Sequence, residues 1–434
     1  MILIYCNKNS PRIEYTFNHI FKLILNKNFS ITNSKSEFID FKGYKFSYAN
    51  APISEELFFQ SNGLLEERGL ENHEIIIFEW DNLKCFFKVG QKSAIPFDIF
   101  SAIFFLLSRY EEYMPHSSNN HSQFSHLESI AYKENFLEIP LIDVWIEKLI
   151  SVLENKIKLK CKFDSKNQIP SIIISSLRPY KYTNKYPFES FMNWFKNLFK
   201  LNLWEVIEHL LVLLKIKIDP WEIDDYIKDL LLDSKNKVFF FFSFSSESFF
   251  RDETPKTNEN FKKYIKDVHD NFEIGLLPSN NALKKLKTFE LENFNISKLI
   301  HIKIDKILLQ EGLKKISEDY KNSLSLDYAN DFSMGYVDAF GYRASTSSSF
   351  FFYDLSNEIK TKLLVTPFVA HHRLIDKISI SEVADKIQRF KEISKRFSGS
   401  FSIILNNEIF ENSVRNGKRR LHFISIIKNL GIRF

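Results

Sequence analysis

The sequence predicts an α/β protein of two units, a smaller α+β module followed by a barrel of parallel strands, and three observations lead there. At 434 residues the chain exceeds what one hydrophobic core supports. From Ile169 onward, single apolar strands alternate with amphipathic helices, the pattern of a parallel sheet or barrel. Between the halves, the lysine-rich run KIKLKCKFDSKNQ reads as a linker. The expected units are residues 1–160 and residues 168–434.

In the first unit, Met1 to Tyr5 is a short apolar strand, and Glu74 to Trp80 (EIIIFEW) reads as a β-branched, buried one. Pro96 marks the first turn of a helix whose apolar positions Phe97, Phe100, Ile103, Phe104, Leu107 and Tyr110 form one buried face. Pro115 to Ser125 is a polar, His-rich loop, and Leu141 to Leu153 is the closing helix. In the second unit the seven expected strands are Ser171 to Ile174, Val238 to Phe244, Glu273 to Leu276, Leu299 to Ile302, Gly341 to Arg343, Leu363 to Pro367 and Ser400 to Leu405. No internal repeat stands out.

Composition narrows the function classes. A chain that is 44% hydrophobic and 26% charged folds around a core and is not disordered. Its 45 phenylalanines, with scarce glycine and abundant Lys, Asn and Ile, reflect an AT-rich coding bias and carry no function. The net charge of +5 is spread along the chain without a basic arm, so nucleic acid is not an expected partner. Cys6, Cys85 and Cys161 are odd in number and far apart, which excludes a disulfide framework and fits a reducing compartment. The start MILIYC lacks a basic n-region, and charged or polar residues interrupt every later apolar run. A cytoplasmic protein without a transmembrane segment is expected.

Several blocks carry a resemblance. PFDIFSAIFFLLSRYEEY (96–113), with Ser108 to Tyr113 matching as a block, resembles the marker helix of the N-terminal domain of polysaccharide deacetylase-like proteins of the Bacteroidota. Phe124, Ser129 and the stretch around Phe136, Pro140 and Trp145 follow in the same order. In the second half, DFSMGYVDAFGYRAST (331–346), the FFYDL around Asp354, and Pro367-Phe368 are also similar to that family. The resemblance implies a deformed (β/α)7 barrel of the NodB type that removes acetyl groups from glycans. It further implies a divalent metal such as zinc held by one Asp and two His at strand ends. A neighbouring Asp would be the base, and a late-strand His would protonate the leaving group.

At the matching positions those side chains are missing. Ser176 and Arg178, in Ser175-Ser176-Leu177-Arg178-Pro179, stand where the two carboxylates of the first motif belong. Leu277, in Ile274-Gly275-Leu276-Leu277-Pro278-Ser279, replaces a metal-binding histidine, and Asn406, before Asn407-Glu408, replaces the late histidine. A guanidinium about 4 Å from a divalent cation would repel it by roughly 8 kcal/mol at an effective dielectric near 20. The expected catalytic and metal sets are therefore empty, with Ser176, Arg178, Leu277 and Asn406 as degenerate positions. Arg343 remains as in the family, where the arginine orients the catalytic Asp.

Sharp and bland readings stay side by side. Arg178 and Arg343 either form two guanidinium forks that grip an acidic sugar or phosphate, or pair with nearby carboxylates. Asn406 and Glu408 either hydrogen-bond a sugar precursor or face water. His116, His121 and His126 read as a solvated loop rather than a metal site. The stretch Phe191 to Ile218, with a break near Asn202, reads as two helices packed on the barrel, the remaining face meeting the N-terminal unit or another subunit, rather than lying on a membrane. The leading expectation is a catalytically inactive homologue that binds a glycan or a partner enzyme in surface-polysaccharide metabolism. The alternative is an active metal-dependent deacetylase with relocated groups such as His371, His372 or Asp338. A third reading is a scaffold whose pocket is filled by aromatic side chains.

Overall fold

The computed structural model describes residues 1–115, 124–164, 171–177, 179–183, 195, 199, 202–223, 225–233, 237–245, 258–309, 311–375, 377–412 and 417–431. Ile2–Cys6 (β1), five buried residues, opens a four-stranded sheet. It is followed by Pro11–Phe17 (α1), capped by Ser10, whose hydroxyl accepts from the Ile13 amide. The chain then widens into a π-helix over Asn18–Ile24. Phe29–Thr32 (β2), Lys35–Asp40 (α2), Tyr44–Ala49 (β3) and Phe58–Gln60 (β4) complete the sheet in the order β2-β1-β3-β4, every pair parallel. The sheet of the first unit is thus all parallel, the pattern of an α/β and not an α+β unit, with α1 and α2 in the connections from β1 to β2 and from β2 to β3 and a loop between β3 and β4.

Phe78–Trp80 (β5) and Leu83–Cys85 (β6) form a separate antiparallel ribbon. Only the last three residues of Glu74 to Trp80 are therefore a strand, and Ile76 is exposed. Ile99–Leu107 (α3) begins after Asp98, whose carboxylate caps the Ser101 amide. Pro96 lies before that cap, and all nine helical residues are buried, so α3 is covered on every side and not on one face alone. Ile130–Lys133 (α4) and Leu141–Ile157 (α5) end this half.

Ser171–Ser176 (β7) starts the second sheet. Leu203–Leu213 (α6), Asp225–Asp233 (α7), Lys237–Phe242 (β8), Glu259–His269 (α8) and Glu273–Leu276 (β9) follow. Next come Asn280–Lys284 (α9), Leu286–Ile300 (α10), Lys306–Ile307 (β10), Ile316–Ser325 (α11) and Asn330–Asp331 (β11). Phe350–Asp354 (β12), Ile359–Val365 (β13), Phe368–His371 (β14), His372–Ile375 (α12), Ile380–Arg396 (α13), Ser402–Asn406 (β15) and Gly417–Gly431 (α14) close the chain. The sheet order is β12-β13-β11-β10-β9-β8-β7-β15-β14, parallel except for the β12–β13 hairpin.

Two expected strands are corrected. Leu299 to Ile302 is the last turn of α10 and its left-handed cap at His301 (φ 59°), and the strand comes later, at β10. Gly341 to Arg343 is a turn: Gly341 has φ 128°, and a Cβ there would sit 2.3 Å from the Leu137 carbonyl oxygen. The short strand of that region is β11, while β12 and β14 were not anticipated.

The sheet curls on itself. β11 and β14 stand six places apart in the order, roughly 29 Å in a flat sheet at about 4.8 Å per strand. Yet the Phe368 amide donates to Met334 O at 3.0 Å, and the Gly341 amide to Val369 O at 3.1 Å, tying β14 to the chain that leaves β11. The enclosed face is filled by Ile173, Phe239, Phe241, Leu277, Leu308, Phe332, Phe368 and Ile404, with Leu177 at its margin. The outer face joins the first unit in one continuous apolar cluster running from Ile2 to Ile427.

Candidate functional site

Strand alternation decides which residues can meet at the carboxyl ends of the strands. In β7, Ile173 and Leu177 belong to the enclosed cluster whereas Ile172 and Ile174 belong to the outer one. Ser176 therefore shares the outer face, and its buried hydroxyl has no hydrogen-bond partner among the described residues. In β8, Phe239 and Phe241 point inward, which continues to Ser243; in β15, Ile404 points inward, which continues to Asn406.

The inner strand ends in the spatial order β9, β8, β7, β15 are thus Leu277, Ser243, Leu177 and Asn406. Leu277 is fully buried. Ser243 Oγ and Asn406 Oδ1 are buried without a hydrogen-bond partner among the described residues. Phe332 and Phe368 continue the wall. The result is an apolar floor carrying two neutral hydrogen-bonding atoms. Glu408 lies in the short 3-10 turn Asn407–Phe410 that follows β15, and Arg178 lies outside the described residues.

One imidazole joins this face. His371 pairs in register with Ile404, is buried, and has its ring centroid 6.0 Å from that of Phe368 and 4.2 Å from that of His372. His371 Nδ1 accepts from the Arg373 amide at 3.3 Å. Burial, helped by Arg373 and Arg419, pushes His372 down to about 3, so its ring is neutral. Asp338 is instead engaged with His126, Oδ1 to Nδ1 at 3.1 Å, and that contact holds its carboxyl below the ordinary range. His116 and His121 lie outside the described residues.

Among the described residues, the donors at these strand ends do not suit a divalent metal. One imidazole and two neutral oxygens supply no carboxylate to balance a dication, and leucines stand between them. Among the described residues, no three His, Cys, Asp or Glu side chains are grouped so as to hold a metal ion.

Arg343 sits elsewhere, in a buried charge network built across the two halves. Its Nε and Nη2 donate to the two Glu112 oxygens at 2.9 and 2.6 Å, and its Nη1 reaches Leu313 O and Gly335 O at 3.3 Å. Arg109 donates to Glu112 at 2.8 Å and to Glu111 at 2.7 Å. Two arginines and two glutamates balance. Burial would raise the Glu112 carboxyl, but Arg343 and then Arg109 outweigh it and hold it below its ordinary value. Arg109 adopts φ 55°, a left-handed conformation that costs a non-glycine residue about 1–3 kcal/mol and that this network sustains. The fork that an anionic sugar would need is thus filled by a glutamate of the first unit.

The same junction continues at α5. Asp143 accepts from Thr346 Oγ1 at 2.8 Å, Ser347 N at 2.7 Å and Ser347 Oγ at 2.6 Å, and the Ile142 amide donates to Ser345 O at 3.0 Å. Residues 331–346 therefore make one of the contacts between the halves, beside those of Arg12 with Glu358 and of Tyr15 with Phe351.

The chain after β7 is held by α6. Asp219 accepts the amides of Lys181, Tyr182 and Thr183, while Lys181 Nζ pairs with Glu205, Glu208 and Glu411. α6 is capped by Asn202, where the break was expected, and buries Val206, His209 and Val212, while the first of the two expected helices lies, but for residues 195 and 199, outside the described residues. Its other face, with Trp204, Ile207 and Leu210, is exposed. Neither the first unit nor another described element covers it. Among the described residues no helix is long and apolar enough to cross a membrane.

Sequence reasoning missed Ser243 and singled out Ser176. The alternation of apolar residues along FFFFSFS could not separate the two faces, because both are buried.

The profile of a family of unknown function (DUF7033) matches residues 2–158. No curated protein matches the chain. Among solved structures, the chain is similar to the crystal structure of a "putative polysaccharide deacetylase" from Mycobacterium smegmatis, at 8% identity and a TM-score of 0.32 over 60% of this chain and 85% of that one.

Proposed function

We propose that the chain is a polysaccharide deacetylase-like protein without hydrolytic activity, which binds a glycan or sugar precursor, or a partner enzyme acting on one, in the cytoplasm. The residues divide in this reading into an N-terminal unit, 1–160, and a NodB-type barrel, 168–434. The observation that carries it is Leu277. The residue at the position of a metal-binding histidine is fully buried in one apolar cluster with Phe241, Phe332 and Phe368 and offers a cation no ligand.

Ser243 and Asn406 suit a neutral sugar in this reading. A hydroxyl and an amide oxygen, both without partners among the described residues, offer hydrogen bonds to sugar hydroxyls above an apolar floor. Arg343 belongs to the junction of the two units, so the specificity for acidic sugars would fall to Arg178.

Metal content by mass spectrometry, acetate release from N-acetylated chitooligosaccharides and thermal shift with the same oligosaccharides test the reading together. The expected result is no stoichiometric metal, no acetate and a saturable rise in melting temperature. Stoichiometric zinc with turnover would overturn it. An active enzyme with relocated groups is favoured by one observation alone, the presence of His371 on the enclosed face.

A further inference from the structure

A second cavity lies where α1 and the π-helix meet the β12–β13 hairpin. It encloses about 230 Å³ and is lined by Tyr15, His19, Lys22, Leu23, Phe351 and Lys360 among others. It shares no residue with the strand-end site. His19 is 4% exposed, and neither ring nitrogen has a hydrogen-bond partner among the described residues. An unsatisfied buried polar atom costs about 1–3 kcal/mol. The histidine sits in a seven-residue π-helix, a rare geometry that concentrates at functional sites.

Two cations face this space without a carboxylate. Lys22 and Lys360 form no ion pair among the described residues, and each ammonium lies over an aromatic ring, Phe29 at 5.5 Å and Phe351 at 4.5 Å. Partial burial, and then the nearby Lys22 charge, hold Lys360 below the ordinary lysine range. Such a pair of like charges is relieved by an anion placed between them. Tyr15 is not a free donor, since its hydroxyl donates to Phe351 O at 2.8 Å.

We propose that this cavity binds a phosphate monoester, held by the ammoniums of Lys22 and Lys360 and by one N–H of His19. Three separate donors match the three terminal oxygens of a phosphate better than the two of a carboxylate. Leu23 and Phe351 form the wall for the organic part.

The test is calorimetric and thermal titration of the full chain with inorganic phosphate and with glucose 1-phosphate, against chloride at matched ionic strength. Saturable binding is expected, tighter for glucose 1-phosphate. Lys22→Ala and Lys360→Ala should each weaken it about fivefold while leaving the ligand-free melting temperature in place. His19→Phe should weaken binding and keep or raise ligand-free stability, because an apolar ring removes two unsatisfied atoms. The proposal is overturned by a response to phosphate no larger than to chloride, by binding that survives the double lysine variant, or by a His19→Phe chain that loses stability and binds unchanged.

Discussion

Arg343 and Glu112 form a two-pronged ion pair at 2.9 and 2.6 Å, and the two side chains are 2% and 3% exposed. One comes from the turn after β11 and the other from the turn after α3, so the pair joins two segments 231 residues apart. Desolvating a single charge costs several kcal/mol, and only the matched geometry of the four-residue network offsets it.

Glu112→Gln leaves Arg109 and Arg343 buried with one carboxylate between them. A loss of about 3–5 kcal/mol in urea unfolding is expected. Replacing the pair together, Glu112→Leu with Arg343→Met, should recover much of that loss, since the uncompensated charge goes too. A double variant no more stable than the single one would contradict this account.

Asp143 makes a pH-dependent contribution of unusual sign. Burial lifts its carboxyl to about 6 against the opposing bonds from Ser347 and Thr346. The folded value lies above the unfolded one of about 3.9, so the folded state binds the proton more tightly. The stability it contributes is complete below about pH 4 and is lost as pH rises through 6. Asp331 shares this sign, whereas Glu112 has the opposite one. Subtraction isolates Asp143: the stability gap between the parent chain and Asp143→Asn should narrow between pH 4 and pH 7. A constant or widening gap in denaturant midpoints would reject the assignment.

A histidine placed at Leu277 should not create a metal site. Leu277→His places an imidazole inside an apolar cluster with no carboxylate beside it, at an expected cost of about 2–5 kcal/mol. The variant should bind less than stoichiometric zinc by mass spectrometry. Tight, stoichiometric zinc would mean that suitable donors do converge on that position.

The two faces of α6 should respond oppositely to charge. Ile207 is 48% exposed and Val212 is 2% exposed. Ile207→Glu should therefore shift stability by no more than about 0.5 kcal/mol, whereas Val212→Glu should cost several kcal/mol. Equal effects in thermal melts would show that another surface covers the outer face.

Much of the architecture was readable from local pattern. Ser171 to Ile174, Glu273 to Leu276 and Ser400 to Leu405 lie within two residues of observed strands, because short β-branched runs between polar turns have few alternatives. Leu299 to Ile302 failed for the same reason in reverse, since an apolar helix end and an apolar strand look alike over four residues. β10 and β11, two residues each, are too short to leave a periodic signal. The blocks 96–113 and 331–346 stood out in the sequence, and in the structure they meet, Arg109 donating to Tyr336 and Arg343 to Glu112.

The sequence alone determined the α/β character of this chain and the positions of strands such as Ser171–Ser176 and Glu273–Leu276. These are properties of residue type and short-range spacing. Only the tertiary structure decided that Ser243 and Asn406 line the enclosed face while Ser176 does not, that Glu112 occupies the fork of Arg343, and that His19 and Lys360 line one cavity. Those relationships depend on strand register and on contacts between distant segments. A one-residue change in alternation inverts a strand's faces, and no local pattern encodes which partner a buried charge will meet.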